Sequence, residues 1–183
     1  MRQSDPAAPQ VPLPAAAGYR FAVFVSRFNE AVTGALRAGA EAALREAGAA
    51  PADVEIFDVP GAYELPQAAR CAAETGRFDA VVCLGCVIRG ETPHFDYISS
   101  AVAHGVMAAS GDTGVPIAFG VLTTDTAAQA EARAGGGRDN KGFEAAAAAI
   151  EMAVLVRRLG RPAASRAGAP RTFGFEPARG RDR

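Results

Sequence analysis

The chain is poor in the residues that would announce cross-linking, metal binding or membrane residence. It has 183 residues and three cysteines, an odd number that cannot make a closed disulfide framework. Cys83 and Cys86 form a C-x-x-C, but the pair falls within and at the end of an apolar strand, not at a helix start where a thiolate is stabilised. No second ligand pair has zinc spacing, so the two are read as core thiols and no metal is expected. No apolar run approaches the roughly 20 residues of a membrane span. The N-terminus lacks a continuous apolar segment of the secretory kind, so the expectation is a cytoplasmic protein. The formal net charge is −1 and gives no signal for nucleic acid. Lysine is nearly absent: of 19 basic residues, all but Lys141 are arginine.

Hydrophobic residues make up 49% of the chain, which indicates a globular protein. Its length suits one domain with a sizeable core. Residues 1–18 are rich in Pro and Ala and are expected to be a flexible extension. Residues 161–183 read as a basic, disordered tail, since Arg157 to Arg183 hold eight arginines against Glu176 and Asp182. The domain between them, 19–160, alternates regularly. Strands are expected at 20–26, 54–58, 79–88 and 115–122. Helices are expected at 30–48 with Asn29 as cap, 64–75, 93–110, 126–134 and 141–159. The strands are near-continuous apolar runs, as in a parallel sheet covered on both faces. The prediction is a three-layer α/β/α sandwich on a four-stranded parallel sheet. So small a sheet has an edge that a neighbouring chain could cover.

The most informative stretch is Ala80 to Ser99, AVVCLGCVIRGETPHFDYIS. A β-branched strand gives way to a turn at Arg89-Gly90, then to a helix. Thr92 is a natural N-cap, and Pro93 suits the first helical position. Free N–H groups at such a helix start form an anion site. His94 stands beside it, and imidazole is a good proton-transfer group near neutrality. The other polar punctuation shares one edge. Phe28-Asn29, Gly61-Ala62-Tyr63-Glu64 and Thr123-Thr124 also follow strand ends, where open parallel sheets bind ligands. Phe28 could offer a ring to a flat heterocycle, and Glu64 could accept hydrogen bonds from hydroxyls. Taken singly, each has a structural explanation: Phe28 as a staple, Glu64 as a first-turn carboxylate, Phe119 as core.

Six elements in order resemble the lumazine synthase family: SRFNE at 26–30, VPGAYELP at 59–66, GCVIRGETPHFDYIS at 85–99, PIAFGVLTT at 116–124, ARAG at 132–135, and NKG with EAAAAAIEMA at 140–153. The resemblance covers about 19–160 and implies a flavodoxin-like α/β fold. It implies condensation of 5-amino-6-(D-ribitylamino)uracil with 3,4-dihydroxy-2-butanone 4-phosphate to 6,7-dimethyl-8-ribityllumazine in riboflavin biosynthesis, without a cofactor. By the same resemblance Phe28 stacks on the uracil, and Ala62, Tyr63 and Glu64 hold the ribityl chain and ring. Cys86, Val87 and Ile88 meet the uracil through their backbone, and Phe119 reaches it from an adjacent subunit. Glu91, Thr92 and Arg133 bind the phosphate, with Lys141 near it, and His94 moves protons. The family's subunits form pentamers, some assembled into shells, with sites shared between neighbours.

Alternatives of the same fold fit less well. A flavodoxin-like electron carrier wants a Ser/Thr/Gly-rich phosphate loop where SRFNEAVTG stands. A phospho-receiver domain wants aspartates after its first and third strands. An archaeal-type riboflavin synthase is nearer, but GETPHFDY favours lumazine synthase. A catalytically decayed flavin-binding or shell-forming protein is opposed by the presence of Phe28, His94 and Arg133 together.

Overall fold

The computed structural model describes residues 12–160. Four parallel strands form one sheet: β1 (Phe21–Ser26), β2 (Val54–Val59), β3 (Ala80–Ile88) and β4 (Ile117–Thr124), in the order β2-β1-β3-β4. Five helices complete the domain: α1 (Glu30–Glu46), α2 (Leu65–Glu74), α3 (His94–Thr113), α4 (Ala127–Arg133) and α5 (Lys141–Arg158).

Side-chain alternation along the strands builds the layers. Phe21, Val23 and Val25 of β1 enter a core with Leu36, Ala40 and Leu44 of α1 and Phe143, Ala146 and Ile150 of α5. Ala22 and Phe24 point the other way, into a core with Leu65 and Ala69 of α2 and Val102 and Val106 of α3. This is the expected three-layer α/β/α sandwich, with β1 and β3 central and β2 and β4 at the edges.

Several boundaries move from the sequence reading. α1 stops at Glu46, and Gly48 turns the chain with φ +82°. A single 3-10 turn, Ala62–Glu64, precedes α2, which therefore starts at Leu65. α3 runs on to Thr113, because Ser110 and Thr113 bond to backbone locally and Gly114 in the left-handed region ends the helix. β4 starts at Ile117 rather than Val115 and extends to Thr124, in register with Ile88. Within the segment assigned to the N-terminal extension, Ala16 is fully buried and its N–H donates to Ala47 O at 2.8 Å. The basic tail at 161–183 lies outside the described residues.

Candidate active site

The register of the sheet creates a polar edge. The β3–β1 ladder ends at Leu84 and Val25, whereas the β3–β4 ladder continues to Ile88 and Thr124. The last residues of β3 therefore stand beyond the end of β1. Cys86 O is turned to that side, where Asn29 Nδ2 donates to it at 2.9 Å. By the two-residue period, Ile88 presents its N–H and C=O to the same side. A carbonyl retains a second lone pair after one hydrogen bond, so this edge offers donors and an acceptor to a flat polar ring. The Cys86 thiol itself is buried, and desolvation pushes its pKa up, which keeps it protonated and unreactive.

Asn29 was expected to cap α1. It occupies the cap position but has φ 59°, and its side chain makes no cap bond. Asparagine tolerates the left-handed region, and that conformation releases its amide to tie the β1–α1 turn to β3 instead. The Phe28 ring is consequently 70% exposed at the mouth of the edge. Gly61 lies directly beneath it: a Cβ there would stand 3.2 Å from Phe28 Cδ2 and 3.1 Å from Glu64 Oε2. The fold thus brings Phe28, Gly61 and Glu64 together, with Ala62 buried and Tyr63 exposed in the same 3-10 turn.

Past Ile88 the chain turns into α3, and here a second expectation fails. Thr92 does not cap the helix. Pro93 takes the cap position with φ −62° and ψ −3°, and no side chain bonds to the leading N–H groups. The proline, already held at a helical φ, replaces the hydroxyl cap by backbone geometry alone. Asp96 N–H donates to Pro93 O at 3.0 Å, while the helix start has no side-chain cap, an arrangement compatible with an anion. Glu91, Thr92 and His94 are all exposed around it.

Phe119, Arg133 and Lys141 lie elsewhere. With Leu122, Thr123 and Glu144 they line a groove of about 410 Å³ on the β4 edge. Phe119 is 42% exposed, so it is not core. Arg133 Nη1 donates to Gln129 O in its own helix at 3.1 Å, and Lys141 Nζ meets both Glu144 oxygens at 2.6 and 2.7 Å. Asn140 sets both basic residues. Its Oδ1 accepts from Gly142 N and Phe143 N, and its Nδ2 donates to Ala35 O and Ala134 O. One buried amide therefore caps α5 just before Lys141 and holds the end of α4 just after Arg133.

Sequence reasoning missed the roles of Asn29 and Asn140. An asparagine immediately before a helix was a readable cap signal for Asn140. Asn29 acts across the sheet edge, where no local spacing reveals a partner. Among the described residues, no group of three or more His, Cys, Asp or Glu is placed to share a metal ion, and no helix is long and apolar enough to cross a membrane.

An open parallel sheet with helices on both faces, carrying an aromatic ring, a carboxylate, an uncapped helix start and a histidine at its carboxyl edge, defines a small-molecule-binding α/β protein. Residues 18–157 match the family described as 6,7-dimethyl-8-ribityllumazine synthase. The chain is 54% identical over 144 residues to the 6,7-dimethyl-8-ribityllumazine synthase of Syntrophus aciditrophicus, covering 79% of this chain and 94% of that protein. It is 56% identical over 142 residues to the protein of the same name from Salinibacter ruber, covering 78% and 91%. The chain belongs to the lumazine synthase family.

Proposed function

We propose that the chain is a transferase that condenses 5-amino-6-(D-ribitylamino)uracil with 3,4-dihydroxy-2-butanone 4-phosphate, giving 6,7-dimethyl-8-ribityllumazine, orthophosphate and two waters. The observation that carries this reading, beside family membership, is the sheet edge itself. An exposed ring, a row of backbone donors and acceptors, and an uncapped helix start follow one another there.

Each residue has a task suited to its chemistry. The pyrimidine lies on Phe28 and pairs with the free backbone of Cys86, Val87 and Ile88. Ala62, Tyr63 and Glu64 border the ribityl chain, whose hydroxyls donate to the Glu64 carboxylate. The phosphate sits at the start of α3 by Glu91 and Thr92, where N–H groups face it. The substrate's own amine attacks the ketone, so no protein nucleophile is required. Water leaves as the imine forms, phosphate leaves by elimination, and ring closure expels a second water. His94 carries protons between these steps. Holding both substrates in one pocket makes the bimolecular step effectively unimolecular.

Phe119, Arg133 and Lys141 complete the site from a neighbouring subunit. Their groove on the β4 edge, separate from the residues around Phe28, supports this division. The assembly is then a homopentamer or a multiple of pentamers. A phosphate ester does not cross a bilayer unaided, so the reaction belongs in the cytoplasm. The test is an assay of purified protein with both substrates and EDTA, reading the fluorescence of the lumazine. Product is expected at full rate. No product, or product only when metal is added, overturns the reading.

A further inference from the structure

The turn that carries Glu91, Thr92 and His94 has almost nothing of its own to hold it. Among the described residues, Gly90, Glu91 and Thr92 make no hydrogen bond. Both flanks, however, are gripped by one side chain. Arg89 Nη1 and Nη2 donate to Asp96 Oδ2 and Oδ1 at 3.2 and 3.1 Å, a bidentate fork that spans the turn from its first residue to the first turn of α3. Arg89 Nε donates to Asp125 Oδ1 at 2.9 Å, in the segment that follows β4. The guanidinium carbon stands 4.1 Å from the Phe95 ring centroid. The Arg89 N–H donates to Thr124 O at 2.9 Å, so the root of the side chain is fixed by the sheet.

An arginine beside a phosphate turn invites the reading that it binds the phosphate. The geometry argues otherwise. Three of its five N–H donors are committed to two carboxylates, whose joint charge exceeds its own. Exposed ion pairs usually contribute little to stability, but a bidentate fork within a network does fix geometry. We propose that Arg89 is a positioning residue, which staples the Gly90–Pro93 turn at both ends and to the β4 exit, holding Glu91, Thr92 and His94 in catalytic register. This rests on the proposed condensation for its kinetic consequence, but not for its structural one.

The test uses the full chain in its native assembly, with Arg89→Met and Arg89→Lys. Arg70→Met is the control, because Arg70 also joins two exposed carboxylates, Glu74 and Asp112, at the far end of α3. Hydrogen exchange is measured without substrate. Peptides covering 89–97 should exchange about tenfold faster in Arg89→Met, while those of α1 and α5 stay as in the wild type. A residue that only binds phosphate would leave substrate-free exchange untouched, and that result overturns the proposal. In steady state, KM for the butanone phosphate should rise and kcat should fall, each about tenfold, with KM for the aminouracil nearly constant. Arg89→Lys should recover little of this, since an ammonium cannot form the fork. Wild-type behaviour in Arg89→Lys means that charge alone suffices and sinks the staple. If the wild type makes no lumazine, the proposed function fails, while the exchange experiment still decides for or against the staple.

Discussion

His94 stands in the first turn of a helix whose leading N–H groups no side chain satisfies. An anion bound there would lie within one helical turn of the imidazole, as the proposed phosphate elimination requires. His94→Ala should lower turnover by roughly ten- to a thousand-fold while the fold persists. His104 is the internal control: it lies mid-helix with Nδ1 at 2.8 Å from Ser100 O, and His104→Ala should leave kcat near wild type. Equal kinetics for both variants would remove His94 from the mechanism. Cys83 makes a different point at this scale. It is fully buried on β3, and desolvation pushes its thiol up to about 12. A pKa raised by folding means that the neutral thiol is the native form. Its contribution is complete below the ordinary thiol range and is lost as pH climbs toward the folded value. Above about pH 9 the melting temperature should fall, and it should fall less steeply in Cys83→Ala. Parallel melting curves for the two proteins would mean that another group governs the alkaline limb.

At the scale of elements, the junction of α1, α4 and α5 carries unusual weight because it is so tight. Gly142 in the first turn of α5 rides directly on the backbone of Leu36, and a Cβ at position 142 would collide with the Leu36 carbonyl. Gly39 likewise faces the Asn140 amide. Gly142→Ala must separate α5 from α1 and should cost about 3 kcal/mol. Asn140→Ala leaves the Gly142 and Phe143 N–H groups without their acceptor and takes a donor from Ala134 O, for roughly 2–4 kcal/mol. Both should appear as lowered midpoints in denaturant, and a change under 0.5 kcal/mol, the size of an ordinary surface effect, would disprove the tight junction. The same elements show what the sequence disclosed. The strands were legible because apolar β-branched runs bounded by turn residues leave few other readings. The helix starts were legible to within a residue, but two of their caps were not, because capping depends on backbone torsion. Asn29 at φ 59° turns its amide to Cys86, and Pro93 displaces Thr92. The edge proposed for the uracil was named through the family resemblance, but its shape was not legible. Only the unequal lengths of the β1 and β4 ladders show that β3 overhangs its neighbour.

At the scale of the whole molecule, the residues assigned to one reaction occupy two places. Phe28, Glu64 and the turn before His94 follow β1, β2 and β3, whereas Phe119, Arg133 and Lys141 line the groove on the outer edge of β4. If both groups serve one substrate pair, a neighbour's β4 edge must meet this chain's sheet ends, and an isolated subunit is inactive. Arg133 then belongs to the phosphate half of a neighbour's site. Arg133→Ala should raise KM for the butanone phosphate several-fold with a smaller effect on the aminouracil. Arg133→Lys should recover only part, because lysine lacks the bidentate fork. The decisive experiment mixes subunits. A His94→Ala chain and an Arg133→Ala chain are dissociated together and reassembled. Where an intact His94 from one parent faces an intact Arg133 from the other, a complete site forms, and activity should rise above that of either parent alone. The rise should depend on the mixing ratio and peak near equal amounts, where such pairings are most frequent. Mixed assemblies that form but gain no activity would place His94 and Arg133 in the same subunit's site, and the β4 groove would need another occupant.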